Sequence, residues 1–266
     1  MGWRISFLVV LFSTSTLFAQ TFLLLSGGAV NENGQRAFVA RAGGVSGKIL
    51  LIPWATGEQT DACRDYAHNF QPAKLECAPF RENMRSVAGL EKLMTQVQGA
   101  TGVFFSGGNQ EKIMAVLEDN PTVAPELARA YATRRIPFGG NSAGMAIMSK
   151  RMFTGRENFV AIDATRAERE PGLGLGLLPE DIIVDSHFLS VNRVNRLMSV
   201  LMSGKETFGI GVDWNSNIVI ENGRKIRNLG EGYSMIVHME NSHGAPEVRG
   251  IHILGESQVW DMPLPQ

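Results

Sequence analysis

Residues 139–144, GGNSAG, place Ser142 in a G-x-S-x-G pattern, the mark of a sharp strand-to-helix turn that presents a serine hydroxyl while glycines keep the nearby backbone clear. With 17 serines and 29 glycines in 266 residues, roughly 0.2 such matches arise per chain by chance, so the pattern carries weight only in a strand-turn-helix setting. That setting is present: the apolar-flanked RRIPF precedes it and the small, helix-compatible MAIMSK follows. A helix starting at the serine brings unpaired backbone N–H groups and the positive end of its dipole, which would stabilise an oxyanion beside the hydroxyl. Ala143 N–H is the first such donor. A second is expected from Gly107 and Gly108 in SGGNQ, where a substrate can approach the bare backbone closely. Taken alone, SGGNQ is more simply a glycine turn capped by Asn109.

A serine nucleophile needs a base. Of the five histidines, His187 is the one at a predicted parallel-strand end in the same half of the core. His68 falls on a predicted helix, and His238, His243 and His252 belong to the late β region. Asp185, Arg193 and Arg196 flank His187, so several polar groups gather at one sheet end. A solvated helix carrying two arginines would leave the same pattern.

The elements that must position these residues alternate along the chain. TFLLLSGG, RAFVARAGG and KILLIPWAT form a strand, helix, strand sequence. A helix around DACRDYAHNF, a short strand around AKLECAPF and a helix within GLEKLMTQVQGA lead into the apolar TGVFFSGG. Helical stretches around QEKIMAVLED and PELARAYATRR precede the strand IPFGG and the helix from Ser142. After a loop region with GRENF and PGLGLGLLPE come DIIVDSHF, a helix through VNRVNRLMSVLMSG, and FGIGVDW. The tail is mostly β, with Glu221, Asn222 and Gly223 as a hairpin turn in NIVIENGRKIRNL. This order predicts an α/β fold, a three-layer sandwich whose mostly parallel central sheet is covered on both faces and extended at its edge by C-terminal β-hairpins. Ligands in such folds bind at the carboxyl ends of the strands, here SGG, SGGNQ, GGNSAG, DSHF and VDWN.

Residues 1–19 combine Arg4, an apolar run from Ile5 to Phe12 and Ala19 before Gln20, the form of a cleaved signal peptide. The run is far short of the roughly 20 residues that span a bilayer. The expected mature chain, 20–266, is one exported domain, periplasmic or extracellular, without internal repeat or linker. Its 25 basic and 26 acidic residues balance, which gives no electrostatic case for nucleic acid or an anionic membrane and favours a small-molecule or peptide partner. An oxidising compartment permits Cys63 and Cys77 to join, and two buried thiols are an equal reading. Neither has a partner at ligand spacing, so no metal or other cofactor is expected.

In their order, FFSGGNQ, GGNSAG and DSHFLSVNRVNRL resemble the cyanophycinase and dipeptidase E family of serine peptidases. Typical segments of that family are close to FTGGDQ, GTSAGA, DQHFxxRxRxxRL and GIGIDExTA, the last similar to GIGVDWNSN at 209–217. The resemblance implies a class I glutamine amidotransferase-like (flavodoxin-like) fold, Ser142 as nucleophile and His187 as general base. It also implies an oxyanion pocket near Gly108 and Ala143, with Gln110, Asp185, Arg193 and Arg196 lining the substrate site. The implied substrates are aspartyl or β-aspartyl peptides: a small peptide or an acidic polymer such as cyanophycin, which is polyaspartate carrying arginine. Cleavage would run through an acyl-enzyme. A homodimer is left open.

The chain departs from this pattern where it matters for the base. Trp214 occupies the position of the glutamate in GIGIDE, which would orient the histidine, and an indole cannot accept a hydrogen bond from an imidazole N–H. Asp213 would point to the opposite face of a regular strand, so it serves as the acid only if the strand end bends; Glu157 is another candidate. Val191 replaces the first arginine of the family's trio and Ser186 the glutamine before the histidine, changes that neutralise the pocket and predict altered specificity. Two further readings are a catalytically impaired peptide-binding homologue and an α/β-hydrolase esterase in the order Ser, acid, His, using Asp213 with His238, His243 or His252.

Overall fold

All five residues of β1 (Phe22–Ser26) are buried, the pattern of a strand covered on both faces. The computed structural model describes residues 21–156, 159–167, 171–242 and 244–263. The leader-like residues 1–19, Glu157 and His243 lie outside the described residues.

Strands β2 (Lys48–Ile52), β3 (Lys74–Cys77), β4 (Gly102–Phe105) and β5 (Phe138–Asn141) run parallel with β1 in the spatial order β1-β5-β4-β2-β3. Helices α1 (Glu32–Arg41), α2 (Gln59–Asn69), α3 (Val87–Gly99), α4 (Gln110–Asp119) and α5 (Val123–Arg129) make the crossovers. The short helix α6 (Ala143–Ala146) follows β5, and β6 (Arg151–Met152) pairs with β7 (Gly172–Leu173) in a small separate ribbon. Then come α7 (Ala164–Ala167), β8 (Ile182–Ser186), α8 (Val194–Met202) and β9 (Phe208–Val212). Beyond β1 the main sheet continues antiparallel through β10 (Asn217–Glu221), β11 (Lys225–Asn228) and β14 (Val259–Asp261), making eight strands in all. Asn222 and Gly223 turn β10 into β11 with φ of 54° and 66°, the left-handed backbone that Asn and Gly adopt most readily.

One expectation needs correction. DIIVDSHF and FGIGVDW do not join the main sheet. Both edges of β1 are taken, by β5 and β10, so β8 and β9 pair in parallel with each other, and β9 pairs with β12 (Ser234–Ser242), which in turn pairs with β13 (Ala245–Leu254). The result is a second, four-stranded sheet.

Alternation along β1 divides the interior. Leu23 and Leu25 face a core shared with Leu50, Ile52, Val103 and Phe105, while Phe22 and Leu24 face another with Ile49, Leu51 and Phe104. The first core also takes in Ile182, Val184, Ile210 and Val212, so the second sheet closes over that face. Its outer side, with Ile183 and Val237, is covered by Leu197, Val200 and Leu201 of α8.

Of the two readings of the cysteines, the structure shows the disulfide: Cys63 on α2 is joined to Cys77 at the end of β3, with Cα atoms 6.0 Å apart and 14 residues of separation. Cross-linking a loop of this size stabilises by about 3 kcal/mol. Replacing both cysteines with serine is therefore expected to lower the melting temperature by about 5–10 °C in scanning calorimetry. An unchanged melting temperature would mean that packing alone holds α2.

Candidate active site

β5 ends at Asn141, and Ser142 follows with φ 50° and ψ −108°, a backbone conformation that is sparsely populated outside glycine. The flanking glycines are needed for contact. A Cβ on Gly140 would lie 2.3 Å from the Gly144 carbonyl, and one on Gly144 would lie 2.3 Å from Phe105 O. Only bare backbone lets the first turn of α6 sit against β5 and β4, and that turn lifts the serine out of the sheet.

Ser142 N–H donates to Ser26 O at 2.9 Å, and His187 N–H donates to the next carbonyl, Gly27 O, at 3.2 Å. His187 follows β8 of the second sheet, also with φ 50°. The two residues thus arrive on different sheets and are clamped by consecutive peptides at the end of β1. Their side chains meet: Ser142 Oγ lies 2.7 Å from His187 Nε2, the spacing of a nucleophile and its general base.

The pair opens into a cleft of about 510 Å³ lined by Gly107, Gly108 and Asn141 on one side and by Trp214 beside His187. Ala143, the first residue of α6, is buried next to the serine, and its N–H is among those without a partner inside the helix. The opposite wall is α2 and the residue before it, presenting Glu58, Asp61, Asp65 and Tyr66. Tyr66 hydroxyl donates to Asn141 Oδ1, and burial pushes its pKa up, keeping the phenol protonated as a donor. Asn141 in turn packs on Gly107, so α2, β5 and the SGGN turn are linked beside Ser142.

Asp213 makes no hydrogen bond to His187 Nδ1, the contact expected of an acid that orients the base. β9 ends at Val212, and the following turn aims Asp213 Oδ1 at the backbone N–H groups of Leu189 (3.1 Å) and Ser190 (2.9 Å). Burial raises its pKa, but hydrogen bonds from Ser190, Trp214 and Leu189 outweigh this and hold it below the usual value. Asp213 therefore ties down the loop that follows His187. Among the described residues His187 Nδ1 is buried without a hydrogen-bond partner, and the Trp214 ring lies against the imidazole with centroids 4.7 Å apart and planes 37° apart. His238 and His252 instead contact Phe208 and Trp260, so the order Ser, acid, His has no counterpart among the described residues.

The four residues expected on the substrate wall, Gln110, Asp185, Arg193 and Arg196, are not among those lining the cleft. Asp185 and Arg196 are both buried and form a two-pronged ion pair, with Arg196 Nε 2.6 Å from Asp185 Oδ2; a buried charge persists only when paired, and this pair braces β8 against α8. Gln110 Nε2 donates to Phe153 O at 2.7 Å, joining α4 to the segment after β6. Arg193 sits below His187, donating to Ser186 O at 2.6 Å and lying 3.6 Å from Asp185. Tyr66 and the acids of α2 were missed, although Asp61 and Asp65 at i,i+4 share one helix face; nothing local says which way that face points. Among the described residues no cluster of His, Cys, Asp and Glu could hold a metal ion.

Burial first, and then Arg193 and Arg196, pull the His187 pKa below its ordinary 6.5 against the opposite pull of Asp213. A lowered pKa means that the neutral base persists as the pH falls through 6.5. Labelling of Ser142 by a fluorophosphonate is thus expected to hold its rate down to about pH 6.5 and decline only below it; a decline centred above 6.5 would contradict this electrostatic picture.

Residues 22–227 match peptidase family S51. The chain is 31% identical over 249 residues to a cyanophycinase of Trichormus variabilis, covering 88% of this chain and 82% of that one. A cyanophycinase of Geminocystis herdmanii is 29% identical over 225 residues, covering 83% and 81%. In structure the chain is similar to a peptidase from an acI-B1 actinobacterium (TM-score 0.66, 15% identity, 92% and 98% covered) and to a putative peptidase E protein from Listeria monocytogenes (TM-score 0.57, 13% identity, 80% and 100% covered). With its ordered motifs, its large mostly parallel sheet and the family match over most of its length, this chain belongs to peptidase family S51.

Proposed function

We propose that the chain is a serine peptidase that hydrolyses aspartyl or β-aspartyl (isopeptide) bonds. The observation that carries this reading is the 2.7 Å contact of Ser142 Oγ with His187 Nε2 at the floor of an open cleft, in a member of family S51. Ser142 Oγ attacks the carbonyl carbon while its proton passes to Nε2. Ala143 N–H, with the backbone at Gly108, stabilises the oxyanion. The C–N bond breaks as Nε2 returns the proton to the leaving amine, and water then releases the acyl group by the same route.

The cleft supports a substrate that carries a cationic group. Glu58, Asp61 and Asp65 stand on the α2 wall, and no Lys or Arg is among the described residues lining the cleft. An aspartyl bond accompanied by arginine, as in cyanophycin, fits this wall better than a purely acidic chain. Specificity is expected to differ from that of the cyanobacterial relatives, because Val191 and Ser186 stand where the family pattern has arginine and glutamine. We read the crossovers as an amidotransferase-like, flavodoxin-like sheet with a C-terminal β extension. The Cys63–Cys77 disulfide and the leader-like first nineteen residues support export.

The unpartnered Nδ1 of His187 favours one second reading, a homologue that binds such peptides without cleaving them. Incubation of the full chain with cyanophycin and with β-aspartyl-arginine, followed by mass spectrometry of the products, separates the two: turnover that Ser142→Ala abolishes supports the peptidase, and binding without products supports the second reading. If the α2 wall recognises the cation, Glu58→Gln with Asp65→Asn is expected to raise KM about three- to tenfold with little change in kcat.

A further inference from the structure

His187 is held at one end only. Nε2 meets Ser142, but Nδ1 is buried with no acceptor among the described residues. For Nε2 to take the serine proton, Nδ1 must already carry a hydrogen, and the imidazolium formed in the step then has one N–H with nothing to receive it. No hydrogen bond at Nδ1 opposes rotation of the ring. What does touch the ring is Trp214, centroid to centroid at 4.7 Å, within the range in which aromatic pairs and cations over indole attract. The indole is itself backed by main chain: a Cβ on Gly28 would lie 2.9 Å from Trp214 Cδ2, so glycine there leaves the ring its place. Trp214 follows Asp213, whose carboxylate is engaged by the 189–190 backbone.

We propose that Trp214 is a positioning residue of the Ser142–His187 pair, holding the imidazole by ring contact and stabilising the imidazolium through its π face, in the place where a hydrogen-bonded carboxylate would otherwise stand. This rests on the reading of Ser142 and His187 as nucleophile and base. In that step the Oγ–H proton moves to Nε2 as the Oγ–C bond forms, and the positive charge appears beneath the indole. The other charges facing the ring are Asp213 from the turn after β9, Arg193 and Arg196 from the α8 side, Asp185, which pairs with both arginines, and Glu58, Asp61 and Asp65 across the cleft. The two arginines oppose the imidazolium and Asp213 supports it, so the indole adds to the weaker side of this balance.

The test is a proton NMR titration of the His187 imidazole in the full chain, with its signal assigned by loss in His187→Ala. Trp214→Leu, which fills space without a π face, is expected to lower the midpoint by about 0.5 pH, threefold in proton affinity, whereas Trp214→Phe restores most of it. Trp214→Glu is expected to raise the midpoint above that of the native chain. Trp214→Gln repeats the Leu experiment with a polar, non-aromatic side chain if the Leu variant fails to melt cooperatively. An unchanged midpoint in the Leu or Gln variant, or an equal fall in the Phe variant, overturns the proposal. Fluorophosphonate labelling of the same proteins reads the rate: a fall of threefold or more in Leu that Phe largely rescues accords with positioning. Absence of labelling at Ser142 in the native chain would sink the peptidase reading, while the titration would still decide the ring contact.

Discussion

Two consecutive peptide carbonyls at the end of β1, Ser26 O and Gly27 O, accept the backbone N–H groups of Ser142 and His187, and the meeting of the two side chains passes through them. The clamp works because β1 is fixed from every side, paired on both edges and buried on both faces. Its far end is pressed against the second sheet: a Cβ on Gly27 would lie 2.2 Å from the carbonyl oxygens of Val212 and Asp213. A side chain at that position would push β9 away, and the histidine loop with it. The sheet core, the glycine contact and the 2.7 Å approach of Ser142 to His187 therefore form one chain of cause.

Part of this was legible in the amino-acid order. The serine elbow could be read because its requirements are local: a strand before, small residues after, and glycines where the backbone must come close. His187 could be singled out because it follows an apolar run of strand length. The split into two sheets was not legible, because it depends on which edges of β1 are occupied, and β10, which occupies one of them, comes later in the chain than β8 and β9. The same non-local logic hid the roles of the charged residues. Asp185 and Arg196 look like site residues by position, yet each is the other's counter-ion beneath the site. Tyr66 looked like an ordinary helix residue, and only the packing of α2 over the main sheet brings its hydroxyl to Asn141.

At Asp213 and Trp214 no carboxylate takes the place beside the histidine that the family motif gives to glutamate. The carboxylate, one residue early, is spent on the 189–190 backbone, and the indole reaches the imidazole. Both residues lie past the end of β9, where the turn rather than strand alternation sends the carboxylate to the loop and the ring to the histidine. The outcome is an imidazole whose proton affinity is lowered by burial and by two guanidinium groups against the opposite pull of Asp213.

Because Ser142 arrives on the main sheet and His187 on the other, the pair exists only while the two sheets are docked. Each sheet keeps its own ladder of hydrogen bonds, and what docks them is the buried core that Leu23 and Leu25 share with Val184, Ile210 and Val212. The activity proposed for the pair would therefore respond to anything that loosens that shared core, even where each ladder persists.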